Sequence, residues 1–113
     1  MTDPSSFTIS ESDGARVVVA LSGEIDLSNA ESLETAIDQA TADAKDVVID
    51  LTAVDFIDSR GLRLLKRAST AVAERGGTFA VVAPPNGVAR SVLDITHLSD
   101  ELAVRDSLQL AEN

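Results

Sequence analysis

A change of period inside one stretch, Val47 to Ala68 (VVIDLTAVDFIDSRGLRLLKRA), constrains the fold more than any other feature of the chain. Val47, Val48, Ile49 and Leu51 form a short, mostly β-branched apolar run, which suits a strand covered on at least one face. Past Asp58 the spacing changes. Leu62, Leu65, Ser69, Val72 and Ala73 recur every three or four residues, so an amphipathic helix is expected from about Ser59. Either Asp58 or Ser59 can cap it, since each has a side-chain oxygen able to accept from the amides that a first turn leaves open. A hydroxyl at this point is also placed for phosphorylation, because free amides and the positive end of the helix dipole can hold an added phosphate. The plainer role of such a residue is that of a cap alone.

Length and composition narrow the setting. A chain of 113 residues fits a single domain, 1–113, that buries about two-thirds of its unfolded surface. Hydrophobic residues at 44% and charged residues at 25% are ordinary for a folded protein and argue against disorder. The absence of cysteine excludes disulfides, thiolate metal sites and a cysteine nucleophile. MTDPSSFTIS has neither a basic start nor an apolar run, and no later run approaches the ~18 apolar residues of a membrane span, so a cytoplasmic protein is expected. Nine Lys and Arg against nineteen Asp and Glu give a net charge of -10. Nucleic acid and anionic membrane are therefore not expected as partners, and a basic or mixed protein surface is. Three Phe with no Trp or Tyr leave no aromatic platform for stacking bases.

Taken in order, Phe7 and Ile9 alternate with Thr8 and Ser10 as in an edge strand, and Ser12-Asp13-Gly14 supplies a turn. Arg16 to Ser22 follows as an interior strand paired with the first in a hairpin. Ser28 and Glu31 have capping-box spacing before a helix whose stripe is Ala30, Leu33, Ile37, Ala40 and Ala44. The central strand and helix come next, ending at Gly76-Gly77, where a left-handed cap is expected. Thr78 to Ala83 is the next buried strand. Asn86 then caps a helix carrying Val88, Val92 and Ile95 inward. Leu102 to Val104 adds a short strand, and Asp106 to Ala111 a last helical turn packed by Leu108. The order ββαβαβα, with a short C-terminal strand or helix, predicts an α/β domain with a mixed β-sheet and helices packed mainly on one face. Right-handed crossovers place the two central helices side by side, with Asp26 and Ser59 on one edge.

Three catalytic or cofactor chemistries were weighed against these residues. A serine hydrolase would need Ser59 activated by His97, the one histidine; DSRG around Ser59 lacks the glycine-flanked nucleophile elbow, and no glycine-rich oxyanion loop is visible. A phospho-accepting aspartate among Asp50, Asp55 and Asp58 would need an acidic pair after the first strand to hold magnesium; Glu24 with Asp26 follows the second strand instead. No P-loop, dinucleotide fingerprint or metal-ligand cluster is present, so no cofactor or metal is expected.

DLTAVDFIDSRGL (Asp50 to Leu62), preceded by SGEIDLSNA (Ser22 to Ala30) and followed by LDITHL (Leu93 to Leu98), resembles the STAS domain of bacterial anti-sigma factor antagonists over nearly the whole chain. The resemblance implies a STAS-like sheet and a regulatory switch rather than an enzyme. Ser59, directly after the Asp of the DS-x-GL motif, is then the serine phosphorylated by an anti-sigma factor that is also a serine kinase. The unphosphorylated form binds that factor and frees the sigma factor; the phosphorylated form lets go, and a phosphatase acting on phospho-Ser59 restores it. Glu24, Asp26 and Ser28 of the GEID-like loop, with Asp58, Arg60, Gly61 and Arg63 around Ser59, are by the same similarity partner-binding positions. Nucleotide belongs to the kinase, so the domain needs no cofactor. The alternative is a STAS scaffold, never phosphorylated, in a signalling or transporter complex. Three residues depart from the family pattern: Arg60 and Arg63, where small residues are usual, and His97 in place of a frequent Gly. Arg60 either faces solvent, selects an acidic patch or pairs with the added phosphate. His tolerates positive φ, so the fold should survive the third departure.

Overall fold

Each parallel strand pair needs a crossover, and here every crossover between the described strands carries a helix. The structure, a computed structural model, describes residues 5–11 and 16–107, and of 5–11 the backbone only. Its elements are β1 (Ser5–Glu11), β2 (Arg16–Ile25), α1 (Ala30–Thr41), β3 (Asp46–Ile57), α2 (Ser59–Glu74), β4 (Thr78–Val82), α3 (Val88–Ile95) and β5 (Val104–Arg105). The sheet runs β1-β2-β3-β4-β5, with β1 antiparallel to β2 and every other pair parallel. This is the mixed α/β sheet expected from the element order.

Period-two alternation decides what each strand buries. Val17, Val19, Leu21, Val47, Ile49, Leu51 and Val81 share one core with Leu33 and Ile37 of α1, Leu64, Leu65 and Val72 of α2, and Ala89 and Leu93 of α3. Val18, Val48 and Val82 form a separate small cluster on the opposite face. All three helices therefore cover one side of the sheet. Both longer turns close as the residues foretold. Gly76, at φ 79, ends α2 with Gly77 N donating to Val72 O and Gly76 N to Ala73 O. His97, at φ 62, ends α3 the same way, with Leu98 N donating to Leu93 O and His97 N to Asp94 O.

Several local expectations are corrected. β2 continues past Ser22 to Ile25 and β3 past Leu51 to Ile57, with irregular register between Ala20 and Ser22 and between Gly23 and Glu24. That irregularity breaks simple alternation, so the second half of β3 reads as a loop in sequence. The capping box of Ser28 and Glu31 does not form; Asn29 occupies the cap position of α1 without a side-chain cap bond. The α1 stripe ends on buried Thr41, whose hydroxyl donates to Ile37 O, and Ala44 is buried beyond the helix end. On α2 the buried residues are Gly61, Leu64, Leu65, Ala68 and Val72, leaving Leu62 and Ser69 half-buried and Ala73 exposed. On α3, Ala89 and Leu93 face inward, while Val88 (49%) and Ile95 (77%) are exposed; Gly87, not Asn86, precedes the first turn. The last strand is Val104–Arg105, and Leu102 is buried just before it. The Ser12–Gly14 turn lies outside the described residues, as does the expected final helical turn beyond Ser107; Asp106 and Ser107 are not helical.

Candidate functional site

The site forms where β3 hands over to α2. Asp58, extended at φ -108 and ψ -170, ends the strand and turns its carboxylate back over the helix start. Its Oδ1 accepts from Arg60 N at 2.9 Å and Gly61 N at 3.2 Å, and its carbonyl accepts from Leu62 N at 3.0 Å. Asp58 is therefore the cap. Two of the first-turn amides expected to hold a phosphate on Ser59, those of Arg60 and Gly61, are already occupied, which corrects that part of the sequence reading. Ser59 is released from capping: it is exposed, and its hydroxyl makes no hydrogen bond among the described residues.

The second carboxylate oxygen reaches another segment. Asp58 Oδ2 accepts from Leu27 N at 3.3 Å, and Asp58 N donates to Ile25 O at 3.1 Å, so one residue ties the end of β2 to the start of α2. The 24–29 loop satisfies itself. Asp26 Oδ1 accepts from Ser28 N at 2.9 Å and Ser28 Oγ at 2.6 Å. Asn29 Oδ1 accepts from Asp26 N at 3.0 Å, and its Nδ2 donates to Glu24 O at 2.7 Å. These bonds explain the missing capping box: both candidate cap side chains, Ser28 and Asn29, serve the loop. Asp26, Ser28, Asp58 and Ser59 thus share one rim, with Glu24 exposed at its edge.

Gly61 is required there by packing. A Cβ on it would lie 2.5 Å from Ile57 Cγ1 and 2.9 Å from Ile25 Cγ2, so α2 approaches the ends of β2 and β3 only without a side chain at this position. Two rim residues escaped the sequence reading. Leu27 (67% exposed) and Phe56 (46%) are large apolar side chains left open beside the Asp58 junction. The sequence reading gave neither a role; the signal that could have found Phe56 is its place outside the Val54 and Ile57 spacing.

Arg60 and Arg63 are exposed, and their guanidinium groups form no ion pair or hydrogen bond among the described residues. Arg67 reaches Glu34 at 3.2 Å and Lys66 reaches Glu101 at 3.8 Å. The LDITHL segment is structural. Asp94 accepts from the Ser99 hydroxyl and from Arg90 Nε, and these contacts, the Ser99 bond first, hold its carboxyl below the usual range. Arg90 also donates to Ala83 O at 2.9 Å and Asp106 Oδ1 at 2.8 Å. The His97 ring makes no bond to Ser59, so the Ser–His contact that a hydrolase needs is not formed. Asp50 accepts from Thr52 N and Oγ1 within β3. Among the described residues no group of three His, Cys, Asp or Glu could hold a metal, and no helix is long and apolar enough to cross a membrane.

Comparison with known proteins identifies the family. The STAS domain family matches residues 6–111. The anti-sigma-F factor antagonist RsfB of Mycobacterium tuberculosis is 41% identical over 85 residues, which cover 74% of this chain and 69% of RsfB. The crystal structure of an anti-sigma factor antagonist from Mycobacterium paratuberculosis superimposes with a TM-score of 0.83 at 32% identity, over 98% of this chain and 95% of that one. The unphosphorylated form of the anti-sigma factor antagonist SpoIIAA shares the fold, with a TM-score of 0.76 at 20% identity over 94% and 92% of the two chains. The phosphorylated form of the Bacillus SpoIIAA shares it too, at 0.70 and 19% over 94% and 96%. On these matches the chain belongs to the STAS domain family, among its anti-sigma factor antagonists.

Proposed function

We propose that the unmodified Ser59 rim captures an anti-sigma factor that is itself a serine kinase, and so frees a sigma factor in the cytoplasm. Transfer of a phosphoryl group from the kinase's nucleotide to Ser59 Oγ, with loss of the hydroxyl proton, then releases the complex, and a phosphatase reverses it. The observation that carries this reading is the exposed, unbonded Ser59 hydroxyl at the first residue of α2, joined to the Asp26 loop through Asp58. A phosphate adds about -1.5 to -2 charge at that point. Like charges forced together at an interface cost several kcal/mol, and each ~1.4 kcal/mol weakens binding tenfold. Because Asp58 rather than Ser59 holds the helix start, the modification leaves the backbone unchanged. The shared fold of both SpoIIAA forms supports that point.

The test is binding to the anti-sigma factor. Ser59→Ala binds whether or not ATP is present, and Ser59→Asp binds roughly a hundredfold more weakly, a loss of about 3 kcal/mol. Equal binding by wild type and both variants would remove the switch. Arg60 and Arg63, which stand where the resemblance implies small residues, favour a second reading: a scaffold that no kinase modifies. Intact mass after incubation with the anti-sigma factor and ATP separates the two by one phosphoryl group.

A further inference from the structure

We propose that the first turns of α2 form a docking face for an acidic surface of the protein partner. The proposal deepens the Ser59 reading and rests on it for the location of the interface. Arg60, Arg63, Lys66 and Arg67 are four of the nine cationic side chains in a chain of net charge -10. Their spacing puts them on neighbouring lines of one helix, and all four are exposed. Other arginines are used internally: Arg75 on the Thr41 and Ala44 carbonyls, Arg90 on Ala83 O, Asp94 and Asp106.

The ridge, by contrast, has spare charge. Arg60 and Arg63 are unpaired among the described residues, while Lys66 and Arg67 make only exposed pairs. Such pairs contribute about 0–1 kcal/mol and exchange readily for a partner's carboxylates. Across the groove, Arg60, Arg63 and Arg67 face Glu31, Glu34 and Asp38 of α1. A protein surface can place discrete carboxylates over the ridge and keep clear of α1. A nucleic acid, with phosphate at every step, meets those acids as well.

This face also explains how a phosphate would act. Asp58 occupies the Arg60 and Gly61 amides, and the unpaired side-chain cations beside a phosphate on Ser59 are Arg60 and Arg63. Ser59 and Arg63 stand four residues apart and line the same groove on α2. Charge-assisted bonds to the phosphate would consume the two unpaired cations that a partner's carboxylates need. Release then follows from lost complementarity as well as repulsion.

The test uses the full chain labelled with nitrogen-15 and a short oligoglutamate peptide as the acidic probe, with oligolysine and a DNA duplex as comparators, at low ionic strength. Oligoglutamate is expected to move the resonances of residues 59–70. Arg63→Glu combined with Lys66→Glu, or phosphoserine installed genetically at position 59, weakens that binding about tenfold or more, as does raising the salt. Both changes are on the exposed face, and circular dichroism checks that the fold is kept. Shifts centred on Lys45, Arg75 or Arg90, unchanged affinity in the reversed variant, or tighter binding of the duplex than of oligoglutamate would overturn the proposal. The installed phosphoserine needs no kinase, so failure of an anti-sigma factor to bind or modify the chain removes the Ser59 reading without touching the peptide result.

Discussion

At the N-terminal end of α2, one carboxylate satisfies the amides of Arg60 and Gly61 and the nearby Ser59 side chain stays in solvent. At the C-terminal end, Gly76 turns left-handed, Gly77 lies against the Lys45 carbonyl, and the Arg75 guanidinium donates to Thr41 O and Ala44 O at the end of α1. Both ends leave few backbone groups orphaned, but by different means. The far end spends its cation and its close approach on neighbouring backbone. The near end settles its polar groups within residues 24–29 and 58–62, which leaves hydroxyl, guanidinium and apolar side chains available to another molecule. The contrast shows that a rim of side chains stays open to solvent when the backbone polar groups behind it are satisfied.

The sharpest way to break this comparison is at the closed end. A Cβ at Gly77 would sit 2.3 Å from Lys45 O, a backbone atom that cannot swing aside. Gly77→Ala is expected to cost about 3 kcal/mol, seen as a lower urea midpoint, while the rim keeps its binding function in whatever fraction is folded. A loss below about 0.5 kcal/mol would show that the closed end is not tightly packed. Next in size is Asp58→Ala, which removes the cap and the bridge to Leu27. It should destabilise by about 1 kcal/mol and, unlike Gly77→Ala, broaden or shift the amide resonances of residues 24–29 in the folded protein. The smallest effect belongs to Ser59→Ala. With no hydrogen bond to lose, its stability should stay within about 0.5 kcal/mol of wild type, and a larger drop would mean that the hydroxyl has a structural partner.

The element order was legible because each element carries its own signature: short apolar runs rich in β-branched residues in Val17 to Leu21 and Val47 to Leu51, and three-to-four-residue spacing in α1 and α2. Gly76 and His97 were legible because a helix end needs a residue that accepts positive φ. Faces were harder. Leu62, Leu64 and Leu65 are all apolar, and the close approach that Gly61 allows to Ile57 and Ile25 selects Leu64 and Leu65 for the core. In α3, eight residues give too few turns to define a stripe, and Ala89 with Leu93 won over Val88 and Ile95. The capping box failed for another reason. Ser28 and Glu31 have the right spacing, but Asp26 and Glu24 supply loop groups that compete for the same polar side chains.

By itself the sequence determined that a helix begins at Asp58-Ser59 after a strand at Val47 to Leu51, and that one serine and two acidic segments, 24–26 and 55–58, lie near strand ends. Local propensity and spacing suffice for that, since both act over a few residues. Only the tertiary structure decided that Asp58 rather than Ser59 is the cap, because its other oxygen is held by Leu27, 31 residues away. A hydrogen bond between such distant segments exists only once the sheet has brought them together, and it is this bond's partner, Asp58, that leaves the Ser59 hydroxyl free.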